Sequence, residues 1–248
     1  YGLDRLALAG GCAQNSVANG KITRQTPFRE VYVAASGADA GGAIGAALVA
    51  ARKLGQSRTA PVPHAYLGPS WDDSACAAAI EAQRARLVAA DIQEIHYADS
   101  QALCEKVIDC IVDGGVVGWF QGRMEWGPRA LGNRSILADP RRADIKDILN
   151  LKIKRRESFR PFAPSILEES VGDWFEESAP VPFMAMVFPI RVERRAQIPA
   201  VTHVDGSGRL QTVSAATNPR YHQLIRVFES RTGVPILLNT SFNENEPI

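Results

Sequence analysis

Short apolar runs alternate with glycine-rich segments over the first 55 residues. The run at 6–9 leads into Gly10-Gly11, and the run at 31–35 leads into a second glycine-rich segment. The small and apolar residues that follow predict a helix over 43–54, which Gly55 ends. Short β-type runs that alternate with helices predict an α/β layer in this part of the chain.

Beyond residue 55 the pattern predicts a linker, then further helices and two strands. Residues 56–70 contain three prolines and are the best linker candidate, and Ser70 and Asp73 predict a capping box at the next helix. Periodic apolar positions predict helices, and short continuous apolar runs predict buried strands. The predicted helices cover 70–90, 100–113, 143–153 and 218–232, and the predicted strands cover 116–120 and 234–238.

Composition is typical of a soluble globular protein. Of 248 residues, 46% are hydrophobic and 22% are charged, so the chain can bury a sizeable core and is not disordered as a whole. A membrane-spanning helix is not predicted, because no run approaches the ~18 apolar residues that it needs. The four cysteines form no CxxC pair, so we expect reduced thiols in a cytoplasmic protein. The net charge of +1 favours no particular partner.

Charge is distributed unevenly along the chain. Residues 120–160 contain eleven basic and five acidic residues, whereas 161–190 contain five acidic residues and no basic one. The segment 121–135 places three arginines among three glycines and a proline, directly after an apolar strand. Guanidinium groups bind phosphate with two parallel hydrogen bonds, so this segment is a candidate phosphate loop. A solvated basic loop is the alternative.

A second basic group runs from Lys154 to Arg160. The predicted helix before it favours a solvated helix face for Arg155 and Arg156. Arg160 lies between an aromatic residue and a proline, a setting that is harder to explain as ordinary surface. Arg160 is therefore a stronger binding candidate than the two arginines before it.

The two glycine-rich segments near the start can also carry chemistry. Glycines after a strand let a ligand approach the backbone, and the N-terminus of a following helix favours anions. Asp39, in the second segment, can hold a metal or a nucleotide-bound cation, and it can equally cap the next helix. Ordinary tight turns are the alternative for both segments.

Small polar side chains follow the last predicted strand. Alternation along an extended segment places Asn239 and Ser241 on one side and Thr240 on the other. Such groups at a strand end can hydrogen-bond a ligand in an α/β crevice, and plain turn chemistry explains them equally well. From the residues alone, the prediction is a phosphate-handling α/β enzyme.

Four motifs, taken together, point to a known family. They are Gly10-Gly-Cys-Ala-Gln-Asn-Ser16, Ala34-Ala-Ser-Gly-Ala-Asp-Ala-Gly-Gly42, Arg123-Met-Glu-Trp-Gly-Pro-Arg-Ala-Leu-Gly-Asn-Arg-Ser135 and Leu238-Asn-Thr-Ser-Phe-Asn243. They resemble the nodulation-protein and antibiotic O-carbamoyltransferase family. The arginine motif is highly specific, the glycine loops are less so, and the resemblance extends over essentially the whole chain.

The resemblance implies a protein with two catalytic halves. An amino-terminal half with an actin/sugar-kinase-like fold moves the carbamoyl group to a substrate hydroxyl, with a bound divalent metal that is expected to be iron. A carboxyl-terminal YrdC-like half, a mixed twisted sheet with helices, makes carbamoyladenylate from carbamoyl phosphate and ATP. By this resemblance, residues 1–62 end the kinase-like half and 63–248 are most of the YrdC-like half. The abrupt apolar start and the missing terminal helix likewise predict a fragment.

The resemblance also implies roles for particular residues. Asp39 matches the family's metal-ligand aspartate, and Gly10, Gly11 and Asn15 match its nucleotide loop. The residues with an implied catalytic role are Arg129, Lys154 and Arg160. The implied pocket for carbamoyl phosphate and ATP consists of Arg129, Lys154, Arg160, Arg209, Asn239 and Ser241.

The expected partners are small molecules. They are carbamoyl phosphate, ATP (with magnesium as an allowed companion ion) and a hydroxyl acceptor, and neither nucleic acid nor a membrane is expected. The histidine pair that completes the family's metal site is absent here, so we expect an incomplete metal site and dependence on the missing amino-terminal half of the same polypeptide. The alternative function is a YrdC-like RNA-binding module, because residues 120–160 are basic.

Overall fold

The computed structural model describes residues 2–38, 40–57 and 61–243. Leu149–Ile153 forms a π-helix that continues the helix before it. The strands are β1 (Arg5–Leu8), β2 (Glu30–Val33), β3 (Val117–Phe120), β4 (Arg134–Ala138), β5 (Ala163–Leu167), β6 (Phe188–Pro189), β7 (Ser207–Gly208), β8 (Gln211–Val213) and β9 (Ile236–Ser241). The α-helices are α1 (Ser16–Asn19), α2 (Ile22–Gln25), α3 (Gly41–Lys53), α4 (Asp73–Ala82), α5 (Arg84–Ala89), α6 (Ser100–Val112), α7 (Ile145–Ile148), α8 (Val171–Trp174), α9 (Val192–Arg195) and α10 (Pro219–Thr232).

A mixed sheet occupies the centre of the described part of the chain. Its strand order is β3-β4-β9-β5-β8. Strand β9 is antiparallel to both β4 and β5, with Ser241 opposite Ser135, and β5 is parallel to β8. All residues of β4 and β5 are buried, because the strands are covered on both faces. The predicted α/β class is confirmed.

Helices α6 and α10 pack against each other and against the sheet. Asp99 caps α6 by accepting hydrogen bonds from two backbone amides of its first turn, and Asn218 caps α10 by accepting from the Tyr221 amide. Gly233 ends α10 at a φ of 74°, a left-handed conformation that glycine adopts without strain. Both predicted helices are confirmed. No helix within the described ranges is long and apolar enough to cross a membrane.

The helix predicted over 70–90 is divided into α4 and α5. Helix α4 begins after Asp72, whose carboxylate accepts from the Ala75 amide, so the predicted capping box starting at Ser70 is wrong. Aspartate is as good an N-cap as serine, and its charge also interacts favourably with the helix dipole. The break falls at Gln83, whose φ of −106° and ψ of 5° lie outside the helical range.

The first part of the chain forms a smaller unit that contacts the larger one. Strands β1 and β2 are parallel, and α3, which confirms the predicted helix over 43–54, follows them. The side-chain amide of Asn19 donates to the Ala185 carbonyl at 2.9 Å, and Arg24 forms an ion pair with Glu177 at 3.0 Å. The kinase-like and YrdC-like assignments and the domain boundary after residue 62 stay predictions.

Candidate active site

A small cavity lies where the carboxyl end of β9 meets the start of β5. Its volume is about 110 Å³. Residues of two loops, 128–130 and 156–162, together with Met184 and with Arg209 from the segment between β7 and β8, complete its wall. The lining residues are Pro128, Arg129, Ala130, Arg156, Pro161, Phe162, Ala163, Met184, Arg209, Asn239, Thr240 and Ser241.

Three arginines give this cavity its electrostatic character. Arg129 and Arg209 form no hydrogen bond or ion pair with any residue that the structure describes, and the Nε of Arg209 is buried. Burial, and to a smaller extent the charges of Arg129 and Arg156, lower the pKa of Arg209 to about 10. Burial also lowers the pKa of Arg129. Among the described lining residues there is no carboxylate, so the chemistry of the lining suits an anion.

Glu125 holds the loop that carries Arg129. Its Oε1 accepts hydrogen bonds from the backbone amides of Leu131 at 2.7 Å and Asn133 at 2.8 Å, with a longer bond from Arg134 at 3.3 Å. Hydrogen bonds to a carboxylate are stronger than those between neutral groups. The loop is therefore already ordered before any ligand binds.

The other two arginines of the segment 121–135 have structural roles. Arg123 donates to the carbonyls of Leu67 and Gly68. Arg134 is buried and donates to the Gln121 carbonyl at 2.6 Å, while its guanidinium carbon lies 3.5 Å from the centre of the Phe120 ring. The candidate phosphate loop at 121–135 stays a prediction. Of these three, only Arg129 lines the described cavity, because the other two hold backbone carbonyls.

Asn239 presents a buried oxygen that has no partner among the described residues. Its Nδ2 donates to the Ser165 hydroxyl at 3.0 Å and to the Gln211 Oε1 at 3.2 Å. The orientation of Gln211 is set in turn, because its Nε2 donates to the Leu131 carbonyl at 2.7 Å. The Oδ1 of Asn239 is thus left as an unpaired acceptor in a side chain that lines the cavity.

Lys154 is buried, and its side chain hydrogen-bonds to residues at and just after the end of β9. Its ammonium donates to the carbonyl and the hydroxyl of Ser241, and to the carbonyl and Oδ1 of Asn243 at 2.7 and 2.8 Å. Burial, and to a smaller extent the charge of Arg156, lowers the pKa of Lys154 to about 8. The structure therefore brings Lys154 and Ser241 together, with Ser241 in the cavity wall and Lys154 behind it.

The stability of the protein should rise with pH from about 8 to 10.5 relative to the variant Lys154→Met. The pKa of Lys154 falls from 10.5 to about 8 on folding, so between these values the unfolded chain binds more protons. Each pH unit in this window then adds about 1.4 kcal/mol to the free energy of unfolding. Urea unfolding of both proteins across the window measures the difference. A difference that does not change with pH would contradict the lowered pKa.

The structure reverses the predicted placement of Arg160 and Arg156, since Arg160 is the stronger binding candidate in the sequence. Arg160 is exposed and forms an ion pair with Glu157 at 2.9 Å, and it does not line the described cavity. Arg156, expected on a solvated helix face, does line it. The helix ends before Arg156, and the guanidinium lies over Phe162 at 4.9 Å from the ring centre. The implied roles of Arg160 and of the other pocket residues stay predictions.

The predicted nucleotide loop lies in the smaller unit. Gly10 has a φ of 83°, which favours glycine, and Gly11 begins a short 3-10 helix. The Oδ1 of Asn15 accepts from the Ala18 amide at 3.0 Å and so caps α1. Asp39 lies outside the described residues, and those that are described offer no group of three or more metal-ligating side chains. The nucleotide-loop role and the metal-ligand role stay predictions.

The structure is thus that of an α/β protein whose mixed sheet carries an arginine-lined cavity. A family model for the carbamoyltransferase C-terminus matches residues 108–248, and one for the carbamoyltransferase N-terminus matches residues 1–48. The chain belongs to the carbamoyltransferase family. Nothing in these matches supports an RNA-binding module.

Three relatives illustrate the similarity. The chain is 49% identical to nodulation protein NolNO of Sinorhizobium fredii, over 100% of this chain and 36% of that protein. It is 47% identical to nodulation protein NolO of Bradyrhizobium diazoefficiens, over 100% and 45% respectively. It is 35% identical to the 3'-hydroxymethylcephem-O-carbamoyltransferase of Amycolatopsis lactamdurans, over 97% and 42%. The chain therefore spans less than half the length of each of these relatives.

Proposed function

We propose that this chain is part of an ATP-dependent O-carbamoyltransferase and that its arginine-lined cavity binds carbamoyl phosphate. The observation that carries the proposal is the set of three guanidinium groups around a cavity with no carboxylate among its described lining residues. The volume of about 110 Å³ suits a small anion better than a whole nucleotide. Membership of the carbamoyltransferase family and the name of the cephem relative support the carbamoyl group and the hydroxyl acceptor.

The arginines serve the activation of the carbamoyl group. Water releases carbamate and inorganic phosphate from carbamoyl phosphate, and a carbamate oxygen then attacks the α-phosphorus of ATP and expels pyrophosphate. Both reactants are anions, so fixed positive groups are needed to offset their repulsion. Arg129 and Arg209 are available for this role, because neither forms a hydrogen bond or ion pair with the residues described.

The second half-reaction belongs to the whole protein. The acceptor hydroxyl attacks the carbamoyl carbon of carbamoyladenylate, and AMP leaves. The proposal of this reaction rests on family membership and on the name of the cephem relative, while the cavity supports only the binding of carbamoyl phosphate. A partly enclosed cavity suits the first half-reaction, since carbamoyl intermediates are lost to water when exposed.

The unpaired oxygen of Asn239 matches the amide end of a carbamoyl group. A buried acceptor without a partner costs free energy, and an incoming N–H group removes that cost. Carbamoyl phosphate carries an NH₂ group, whereas acetyl phosphate has a methyl group of similar size in its place. Asn239 is therefore expected to distinguish the two compounds.

The protein should bind carbamoyl phosphate about 5–150-fold more tightly than acetyl phosphate, since an unmade hydrogen bond to a buried acceptor costs about 1–3 kcal/mol. In Asn239→Leu this ratio should fall towards one. Calorimetric titration with each compound measures it.

The matched control is Thr240→Val, at the next residue of β9, which also lines the cavity. It should leave the ratio between the two compounds unchanged, whatever it does to the absolute affinities. Equal binding of both compounds by the unaltered protein would contradict the proposed recognition of the carbamoyl group. A ratio that survives in Asn239→Leu would assign the recognition to another residue.

A further inference from the structure

Arg156 is set apart from the other cavity arginines by the way its guanidinium is held. Its Nε donates to the Oδ1 of Asn150 at 2.7 Å, and its backbone amide donates to the Asn150 carbonyl at 3.0 Å. The guanidinium carbon lies 4.9 Å from the centre of the Phe162 ring. One edge and one face of the group are thus fixed. No described residue accepts a hydrogen bond from its two terminal nitrogens.

Asn150 is placed to act as the support of this arrangement. It is fully buried within the π-helix, and its Nδ2 donates to the carbonyls of Ser158 at 3.2 Å and Arg160 at 3.1 Å. The orientation of the amide is therefore determined, because its nitrogen faces two acceptors and its oxygen faces one donor. A π-helical turn is rare and frequently occurs at functional sites. Through these hydrogen bonds, Asn150 stabilises the loop 154–160 and orients the Arg156 guanidinium.

The terminal nitrogens of Arg156 belong to the anion site. Arg156 lines the same cavity as Arg129 and Arg209, and no carboxylate is present among the described lining residues. Glu157, the acidic neighbour in the chain, is paired with Arg160 instead. An arginine with one edge anchored loses little conformational freedom when it binds phosphate with its other edge.

We infer that Arg156 binds a phosphoryl oxygen of the ligand through its terminal nitrogens, and that Asn150 is the positioning residue that orients it. The identity of the phosphorylated ligand rests on the proposed function above. The chemistry of the site itself requires only a phosphate group. This inference adds Arg156 and Asn150 to the residues expected to bind the anion.

Titration of the protein with inorganic phosphate tests the role of Arg156. Arg156→Gln should weaken phosphate binding by about 10–150-fold, since a charged hydrogen bond contributes about 1.5–3 kcal/mol. Arg156→Lys should recover only part of this loss, because lysine keeps the charge but cannot form two parallel hydrogen bonds. The matched control is Lys152→Gln, which removes an exposed positive charge from the same segment and should change the affinity less than twofold, about the effect of a screened charge.

A double-mutant cycle tests the role of Asn150. Asn150→Ala should weaken phosphate binding in the unaltered protein but have no further effect in Arg156→Gln, because it acts through that side chain. If Asn150→Ala weakens binding equally in both backgrounds, Asn150 does not act through Arg156. If Asn150→Ala fails to fold, the Arg156 variants still test whether Arg156 contacts the anion.

The outcomes for Arg156 and for the proposed function are separate. An unchanged phosphate affinity in Arg156→Gln, even with a lower melting temperature, would overturn the inference and leave carbamoyl phosphate binding through Arg129 and Arg209 intact. If phosphate binding depends on Arg156 but the protein binds acetyl phosphate as tightly as carbamoyl phosphate, the inference stands and the proposed carbamoyl specificity fails.

Discussion

Arg209→Met should weaken binding of carbamoyl phosphate by about 10–150-fold and should raise the melting temperature of the ligand-free protein. The loss of affinity reflects a charged hydrogen bond of about 1.5–3 kcal/mol. The gain in stability reflects the removal of a largely buried charge that has no partner among the described residues and is repelled by Arg129 and Arg156. Calorimetry and thermal unfolding measure the two effects.

The control for this pair of effects is Arg191→Met. Arg191 donates to the Gly172 carbonyl at 2.8 Å and does not line the described cavity. Its replacement should lower the melting temperature and leave carbamoyl phosphate binding unchanged. Changes in melting temperature of opposite sign for the two variants would distinguish an arginine that binds the ligand from one that stabilises the fold. An Arg209→Met protein with normal affinity would remove Arg209 from the site.

Glu125→Ala should lower the free energy of unfolding by about 3–6 kcal/mol and weaken anion binding as well. The stability loss follows because two short backbone hydrogen bonds and one longer bond to its carboxylate disappear, at about 1.5–3 kcal/mol for a charged bond. Binding weakens because these bonds order the loop that carries Arg129. Denaturant unfolding and phosphate titration measure the two losses.

Graded variants distinguish this role from a general charge effect. Glu125→Gln keeps an oxygen acceptor but loses the charge, so its stability should lie between those of Glu125→Ala and the unaltered protein. Glu193→Ala removes an exposed carboxylate and should change neither quantity. A Glu125→Ala protein with unaltered stability would mean that the loop is held by its other contacts.

Local signals were sufficient where the physical cause is local. Helix α10 follows Asn218-Pro219 and stops at Gly233, and a side-chain cap, a fixed φ and a left-handed glycine are properties of single residues and their neighbours. The strand β3 and most of β9 follow from continuous apolar runs, which exclude water in any α/β sheet.

Strands β4 and β5 were not predicted from the sequence, because the contacts that stabilise them are not local. Strand β4 begins with Arg134, whose charge marks a loop or surface in the sequence, and β5 contains Pro164, which marks a strand break. The fold accommodates Arg134 by surrounding its guanidinium with backbone carbonyls and the Phe120 ring. The Gln121 carbonyl and the Phe120 ring are not sequence neighbours of Arg134, so no local pattern of residues predicts these contacts.

The sequence by itself determined the α/β class, the main helices, and the family that its motifs resemble. Only the tertiary structure decided which arginines face the cavity. Arg129, Arg156 and Arg209 come from three separate loops, and they meet because β9 lies between β4 and β5 in the sheet. Arg123 and Arg134 belong to the same motif as Arg129, yet their guanidinium groups bind backbone carbonyls. A guanidinium binds either a ligand or the protein according to what lies within about 3 Å of it, and that distance is set by packing.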